Sequence, residues 1–259
     1  NSKILKIIGP GIIFAGAAIG GSHLMSSTTA GARFGFSLVG LILITNFLKY
    51  PFLLVGTRFT ASTGMSLLEG FKKRNSLYLP IFLIVSLITG TFTIAAVSFV
   101  SGVLLTNIPL FSNFPPMDLS IMVLVICGLI LLIGKYKALD RLSKILVSIL
   151  TILTFFAVIS LITKGSLNKE LIITFYNSET SPWRLSNLSF LIPLMGWMPC
   201  PVELCVWPSL WMFSKNKVSK YRPTIKEAEL DFNIGYFLTI MTAIFFVTLG
   251  AITMYGTGE

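Results

Sequence analysis

The chain has 259 residues, of which 54% are hydrophobic and only 12% charged, and its mean hydropathy is +0.85. A soluble domain of this length cannot hide so large an apolar fraction, so the composition excludes one and defines an all-α polytopic membrane protein. The formal net charge of +10 does not point to nucleic acid, because the basic residues lie in short loops between apolar runs and form no reading surface.

A bilayer core about 30 Å thick takes about 20 apolar residues of helix. Seven stretches fit: 7–32, 36–55, 79–106, 119–134, 142–163, 189–213 and 232–255. The first is too long and too glycine-rich to be a cleavable signal peptide, and it carries Gly20-Gly21-Ser22-His23 near its centre. The fourth is short and the third long, which tilt absorbs. The sixth carries Pro199 and Pro201 near its centre, with Glu203 just beyond them. The chain begins at Asn1 and stops at Glu259 directly after an apolar run, so it reads as a fragment holding the first seven helices of a longer fold.

Lys and Arg alternate strongly between the two sides of these spans. Lys3 and Lys6, the group from Arg58 to Arg74, the group from Lys135 to Lys144 and the group from Lys215 to Lys226 share one side. Arg33, Lys164, Lys169 and Arg184 hold the other, and Lys49 stands near the end of the second span. The positive-inside rule makes the N-terminus cytoplasmic, with the whole an integral protein of a bacterial inner membrane. Residues 1–163 read as a first repeat of five helices, 164–188 as an external loop, and 189–259 as the start of a second repeat. The two interrupted spans are then the first helix of each repeat. In an inverted-repeat transporter such breaks meet at the bilayer midplane and hold the substrate, because unwound backbone survives in lipid only where it lines a cavity or binds a ligand.

Few residues within the spans could carry chemistry. His23 is the only histidine; it is a metal ligand, a proton shuttle, or a polar group that bonds a carbonyl freed by the break. Glu203 is the one acid deep in a span, read as a proton-coupling group or cation ligand, or else as a buried acid tied to the backbone or to an amide such as Asn46. Met198 and Cys200 flank Pro199, and their sulfurs are soft ligands or apolar filler. Trp183 and Trp211 read as interfacial anchors, and Trp197 as a wall of the cavity. Cys127, Cys200 and Cys205 all fall in apolar runs and suggest no disulfide framework. No paired acids, HExxH or phosphate-cradling loop occurs, so the chain reads as no enzyme and as needing no cofactor.

Gly9-Pro10-Gly11, the central break and Ala30-Gly31-Ala32 resemble the first helix of the NRAMP divalent-metal transporters. The likeness continues through Thr63-Gly64 with Leu67-Leu68-Glu69 and through Met198-Pro199. It implies a LeuT-type inverted-repeat transporter fold of eleven or twelve helices and proton-coupled uptake of Mn²⁺ or Fe²⁺. The family's first-helix Asp-Pro-Gly-Asn falls on Gly20, Gly21, Ser22 and His23, so the metal-binding carboxylate is absent here. The family's Met-Pro-His is Met198-Pro199-Cys200, and its metal-binding carbonyl falls on Met195. The chain thus resembles a divergent branch, with an ion site expected among Gly20, Ser22, His23, Met195, Met198, Cys200 and Glu203. His23, Met198, Cys200 and Glu203 are the metal ligands in this reading, and Glu203 and His23 the proton carriers. The expected function is secondary-active transport of divalent metal ions into the cytoplasm. The alternatives are a transporter of a small organic solute such as an amino acid, and a non-transporting membrane sensor or scaffold. Its partners are the lipid bilayer and the transported ion or solute.

Overall fold

The computed structural model describes residues 7–163 and 181–255, and nearly all of them are helical. Most of the expected external loop 164–188 lies outside the described residues.

The first span is two half-helices. α1 (Pro10–Ala18) starts with proline in its first turn, where a missing N–H costs nothing. It stops at a bend over Ile19 and Gly20, and the chain resumes as a π-helical turn, Ser22–Ser27, before α2 (Thr28–Phe34). The break is thus narrower than the four unwound residues the sequence suggested. Its Ser22 and His23 are set by the wide π turn, a local distortion found often at functional sites.

α3 (Val39–Thr63) runs eight residues past the expected end of the second span at 55. It closes on Gly64 at φ 75°, a left-handed position that suits glycine, whose N–H bonds the Thr60 carbonyl at 2.9 Å. α4 (Leu67–Arg74) opens with a capping box: the Ser66 hydroxyl accepts from the Glu69 N–H, and the Ser66 N–H donates to the Glu69 carboxylate at 2.6 Å. These bonds hold the Glu69 carboxyl below the usual carboxylate range. α5 (Tyr78–Thr106) is the third span.

The fourth and fifth spans form one continuous element, α6 (Pro116–Thr163), broken at Lys135 by φ 46° and ψ −144°. An unbroken helix of its 48 residues would reach about 72 Å, more than twice the hydrocarbon thickness, so the break at Lys135 separates two crossings. The sixth span is again two pieces: α7 (Leu188–Trp197) and α8 (Trp207–Ser219), joined by extended residues 198–201 and a 3₁₀ turn, Val202–Cys205. α9 (Ile225–Thr253) begins at a second capping box, Thr224 with Glu227, and takes in Asp231 within its first turns. Val39–Thr63, Tyr78–Thr106, Pro116–Thr163 and Ile225–Thr253 are each long and apolar enough to cross a membrane.

α9 lies along both halves of the first span, and glycines set the approach. A Cβ on Gly235 would stand 1.9 Å from the Gly11 carbonyl oxygen, one on Gly11 equally close to the Asp231 carbonyl, and one on Gly250 2.0 Å from the Thr28 carbonyl. Only backbone against backbone fits there, as in small-residue packing between membrane helices. The Asp231 carboxylate caps the start of α1, accepting from the Gly9 N–H at 2.9 Å and the Gly11 N–H at 2.8 Å. Lys215 donates to the carbonyls of Ile7 and Ile8 just before it. Two apolar clusters flank the breaks, one around Phe34, Leu38, Leu194 and Met198, the other around Phe14, Leu54, Cys200 and Phe232.

Candidate binding site between the two helix breaks

The two interruptions meet. The Ser22 hydroxyl, on the π turn of the first span, lies 3.3 Å from the Pro199 carbonyl in the second break. Beside this contact is a cavity of about 160 Å³ lined by Gly20, Gly21, Ser22, Trp197 and Pro201, with Thr93 and Val97 of α5 across from them. The fold thus brings Gly20 and Ser22 to a cavity shared by both breaks.

The prolines of the second break determine which backbone groups are free. An N–H at positions 199 and 201 would close the helical bonds of the Met195 and Trp197 carbonyls, and proline supplies none. The chain therefore opens after Trp197, and Trp197 packs against the first break, within 3.4 Å of where a Gly21 Cβ would lie.

The remaining predicted ligands do not converge. Met198 continues the face of Leu191 and Leu194, seven and four residues earlier, and its side chain is fully buried among them, with its sulfur 4.0 Å from the Ser27 hydroxyl. Cys200 instead packs in the cluster of Leu204, Phe14 and Leu54. His23 is fully buried, with both ring nitrogens engaged. Its Nε2 lies 3.0 Å from the Thr239 carbonyl, which can only accept, so that nitrogen carries the proton. Its Nδ1 faces the Ser22 hydroxyl at 2.8 Å, and that hydroxyl also reaches the Ala18 carbonyl at 2.7 Å. The imidazole thus bonds the Thr239 carbonyl of α9 and the neighbouring Ser22 hydroxyl. Among the described residues no group of three or more His, Cys, Asp or Glu side chains is arranged to hold a metal.

Glu203 is 1% exposed and pairs with α5: the Thr89 hydroxyl lies 3.0 Å from its carboxylate and 2.9 Å from the Val85 carbonyl. Asn46, the amide suggested for it, turns back to the Ile42 carbonyl of its own helix at 2.8 Å. Thr89 and Thr93 are four apart on one face of α5, so Glu203 sits one turn from the cavity wall. Sequence reasoning passed over both threonines; their i, i+4 spacing in an apolar helix was the available signal. The Met195 carbonyl, expected to face an ion, accepts instead from the Lys49 ammonium at 2.7 Å. A second hollow, of about 580 Å³, lies on the far side of Pro201, walled by Phe52, Leu53, Leu67 and Phe71 with Lys49 and the Cys200 and Cys205 thiols. Its apolar walls suit ion binding less well than the smaller cavity.

Two interrupted helices that share one cavity within a bundle of long apolar helices are the arrangement of the LeuT-type fold. The same fold occurs in a manganese transporter of Eremococcus coleocola, solved in complex with an aromatic bis-isothiourea substituted compound. It superposes with a TM-score of 0.64 at 15% identity, over 96% of this chain and 52% of that one. The model of the family described as Nramp, natural resistance-associated macrophage protein-like, matches residues 11–259, and the chain belongs to that family. The resemblance read from the first-span motifs therefore holds, and the family is one of transporters, not enzymes. An uncharacterized protein of Pasteurella multocida is 37% identical over 97% of this chain and 57% of its own length. The divalent metal cation transporter MntH of Latilactobacillus sakei is 21% identical over 99% of this chain and 56% of its own. The chain spans about half the length of these curated relatives.

Proposed function

We propose that this chain serves transport of divalent metal ions across the membrane, carrying them into the cytoplasm by alternating access around the cavity between the two breaks. The observation that carries this reading is the Ser22–Pro199 contact beside that cavity, because it joins the two unwound segments at one polar point. The polar side chains of the cavity's lining are the hydroxyls of Ser22 and Thr93, beside the glycine backbone at 20 and 21 and apolar walls of Ala17, Ala18, Val97 and Trp197. Sulfur and imidazole are directed elsewhere. Oxygen ligands favour a hard cation, Mg²⁺ or Mn²⁺, over Cu or Zn, and a cavity of about 160 Å³ leaves room for several of its waters.

Proton coupling falls to Glu203. The single Thr89 hydroxyl proton faces two acceptors, the Val85 carbonyl and the Glu203 carboxylate, so a proton taken up by Glu203 completes the set: Glu203 then donates to Thr89 and Thr89 to Val85. The basic loops orient the chain with its N-terminus in the cytoplasm of a bacterial cell, which puts Thr89 and Glu203 on the cytoplasmic side of Thr93. Proteoliposomes test the scheme through uptake of Mn²⁺ and Mg²⁺ with and without a pH gradient. Ser22→Ala should lower uptake about tenfold, the loss of one well-placed ligand. Glu203→Gln should retain downhill uptake and lose its response to the pH gradient. Uptake of neither ion, or unchanged kinetics in both variants, contradicts the reading.

A further inference from the structure

Lys49 is a charged residue near the middle of a membrane helix. Because α3 extends over Val39–Thr63, Lys49 lies near its centre and not at the end of a span as the sequence suggested. Among the described residues no carboxylate stands within ion-pairing distance of it. Its ammonium donates instead to two main-chain carbonyls, Met195 and Gly196, each at 2.7 Å. These carbonyls close the last turn of α7, at the negative end of the half-helix. The Met195 carbonyl is free because its helical partner would be the N–H of residue 199, and that residue is proline. The sequence has thus built a place for a cation and filled it from a neighbouring helix. Charged groups at membrane depth are retained for function, and a structural tie between two apolar helices needs no ammonium.

We propose that Lys49 is a specificity-determining residue, a tethered cation that occupies the end of α7 and keeps the transported ion off the Met195 and Gly196 carbonyls. The inference rests on the divalent-cation reading of the cavity. Pro201 walls both that cavity and the hollow beside Lys49, so the ammonium and the cavity lie on opposite sides of one stretch of chain. Lys49 therefore acts on the ion in two ways: it removes two carbonyl ligands from reach, and its charge raises the cost of bringing a second cation near. Binding is weak and restricted to the hydroxyls of Ser22 and Thr93 with the main chain around them, an arrangement that selects for an ion retaining much of its water.

The test is Mn²⁺ titration calorimetry on the detergent-purified protein, comparing wild type with Lys49→Met and Lys49→Arg. Lys49→Met, which keeps the stem and removes the charge, should bind Mn²⁺ about tenfold more tightly. Lys49→Arg, which keeps the charge and the carbonyl bonds, should stay within about twofold of wild type. Should the methionine variant not fold, Lys49→Gln makes the same comparison with a neutral donor in place. Equal or weaker Mn²⁺ binding by a folded uncharged variant overturns the proposal alone. Loss of folded protein in both uncharged variants, with Lys49→Arg intact, makes the residue structural and also overturns it. Absence of Mn²⁺ binding in wild type and variants alike overturns the cation reading of the cavity, and this inference with it.

Discussion

Gly235→Val is expected to abolish or severely destabilise the fold, with the apparent melting temperature in detergent lower by about 10 °C or no monodisperse protein recovered. The added Cβ would stand 1.9 Å from the Gly11 carbonyl oxygen, and Gly11 is itself wedged against the Asp231 carbonyl, so α1 and α9 meet through backbone from both sides. A clash with a flexible side chain relaxes by a rotamer change; a clash with main chain moves a whole helix. Overpacking of ordinary cores costs about 1–3 kcal/mol, and this site belongs at or above the top of that range. Gly90→Ala, at a position with open space around it on α5, is the control and should leave the melting temperature unchanged. Equal stability of Gly235→Val and wild type would show that α9 does not lie against the first half-helix as described.

The second large effect is expected at Asp231. Its carboxylate, 3% exposed, satisfies the N–H groups of Gly9 and Gly11 at the start of α1. No intrahelical acceptor exists for the first N–H groups of a helix, so Asp231→Ala strands two donors inside the protein. At about 1–3 kcal/mol for each stranded group, the loss is about 3 kcal/mol, read as a lower melting temperature. Asp231→Asn keeps one acceptor oxygen and should fall between the two. In the transport scheme α1 must move to open the cytoplasmic side, and Asp231 with Lys215 is what fastens its first turn. A single cysteine placed at Ile8 in the Asp231→Asn background should therefore react faster with a membrane-impermeant thiol reagent from the cytoplasmic side than the same cysteine with Asp231 present. An unchanged rate would detach the carboxylate from that movement.

The membrane class, the position of both breaks and the family were legible in the residues, because each rests on a local signal: apolar length, glycine and proline at mid-span, and short motifs such as Gly9-Pro10-Gly11. The ligand directions were not. Met198 and Cys200 are two residues apart in a stretch that is neither helix nor strand, so no period assigns them a face, and each joined the apolar cluster of its own flanking segment. His23 was ambiguous between ligand and backbone partner, and the Thr239 carbonyl it bonds is 216 residues away in sequence, out of reach of any local signal. Lys49 looked peripheral because the second span was ended at residue 55, where apolarity fades, although the helix continues to Thr63. Asp231 was missed for the mirror reason: α9 starts at Ile225, seven residues before the apolar run begins at 232. Apolar length locates what lipid covers, whereas capping residues such as Thr224 and Gly64 locate where a helix ends.

Anomalous diffraction from crystals equilibrated with Mn²⁺ tests the central claim most directly. The account predicts a manganese peak in the cavity of about 160 Å³ between the breaks, nearest the hydroxyls of Ser22 and Thr93 and the main chain at Gly20. A peak at the Cys200 and Cys205 thiols instead, or no peak in that cavity at saturating Mn²⁺, would contradict it.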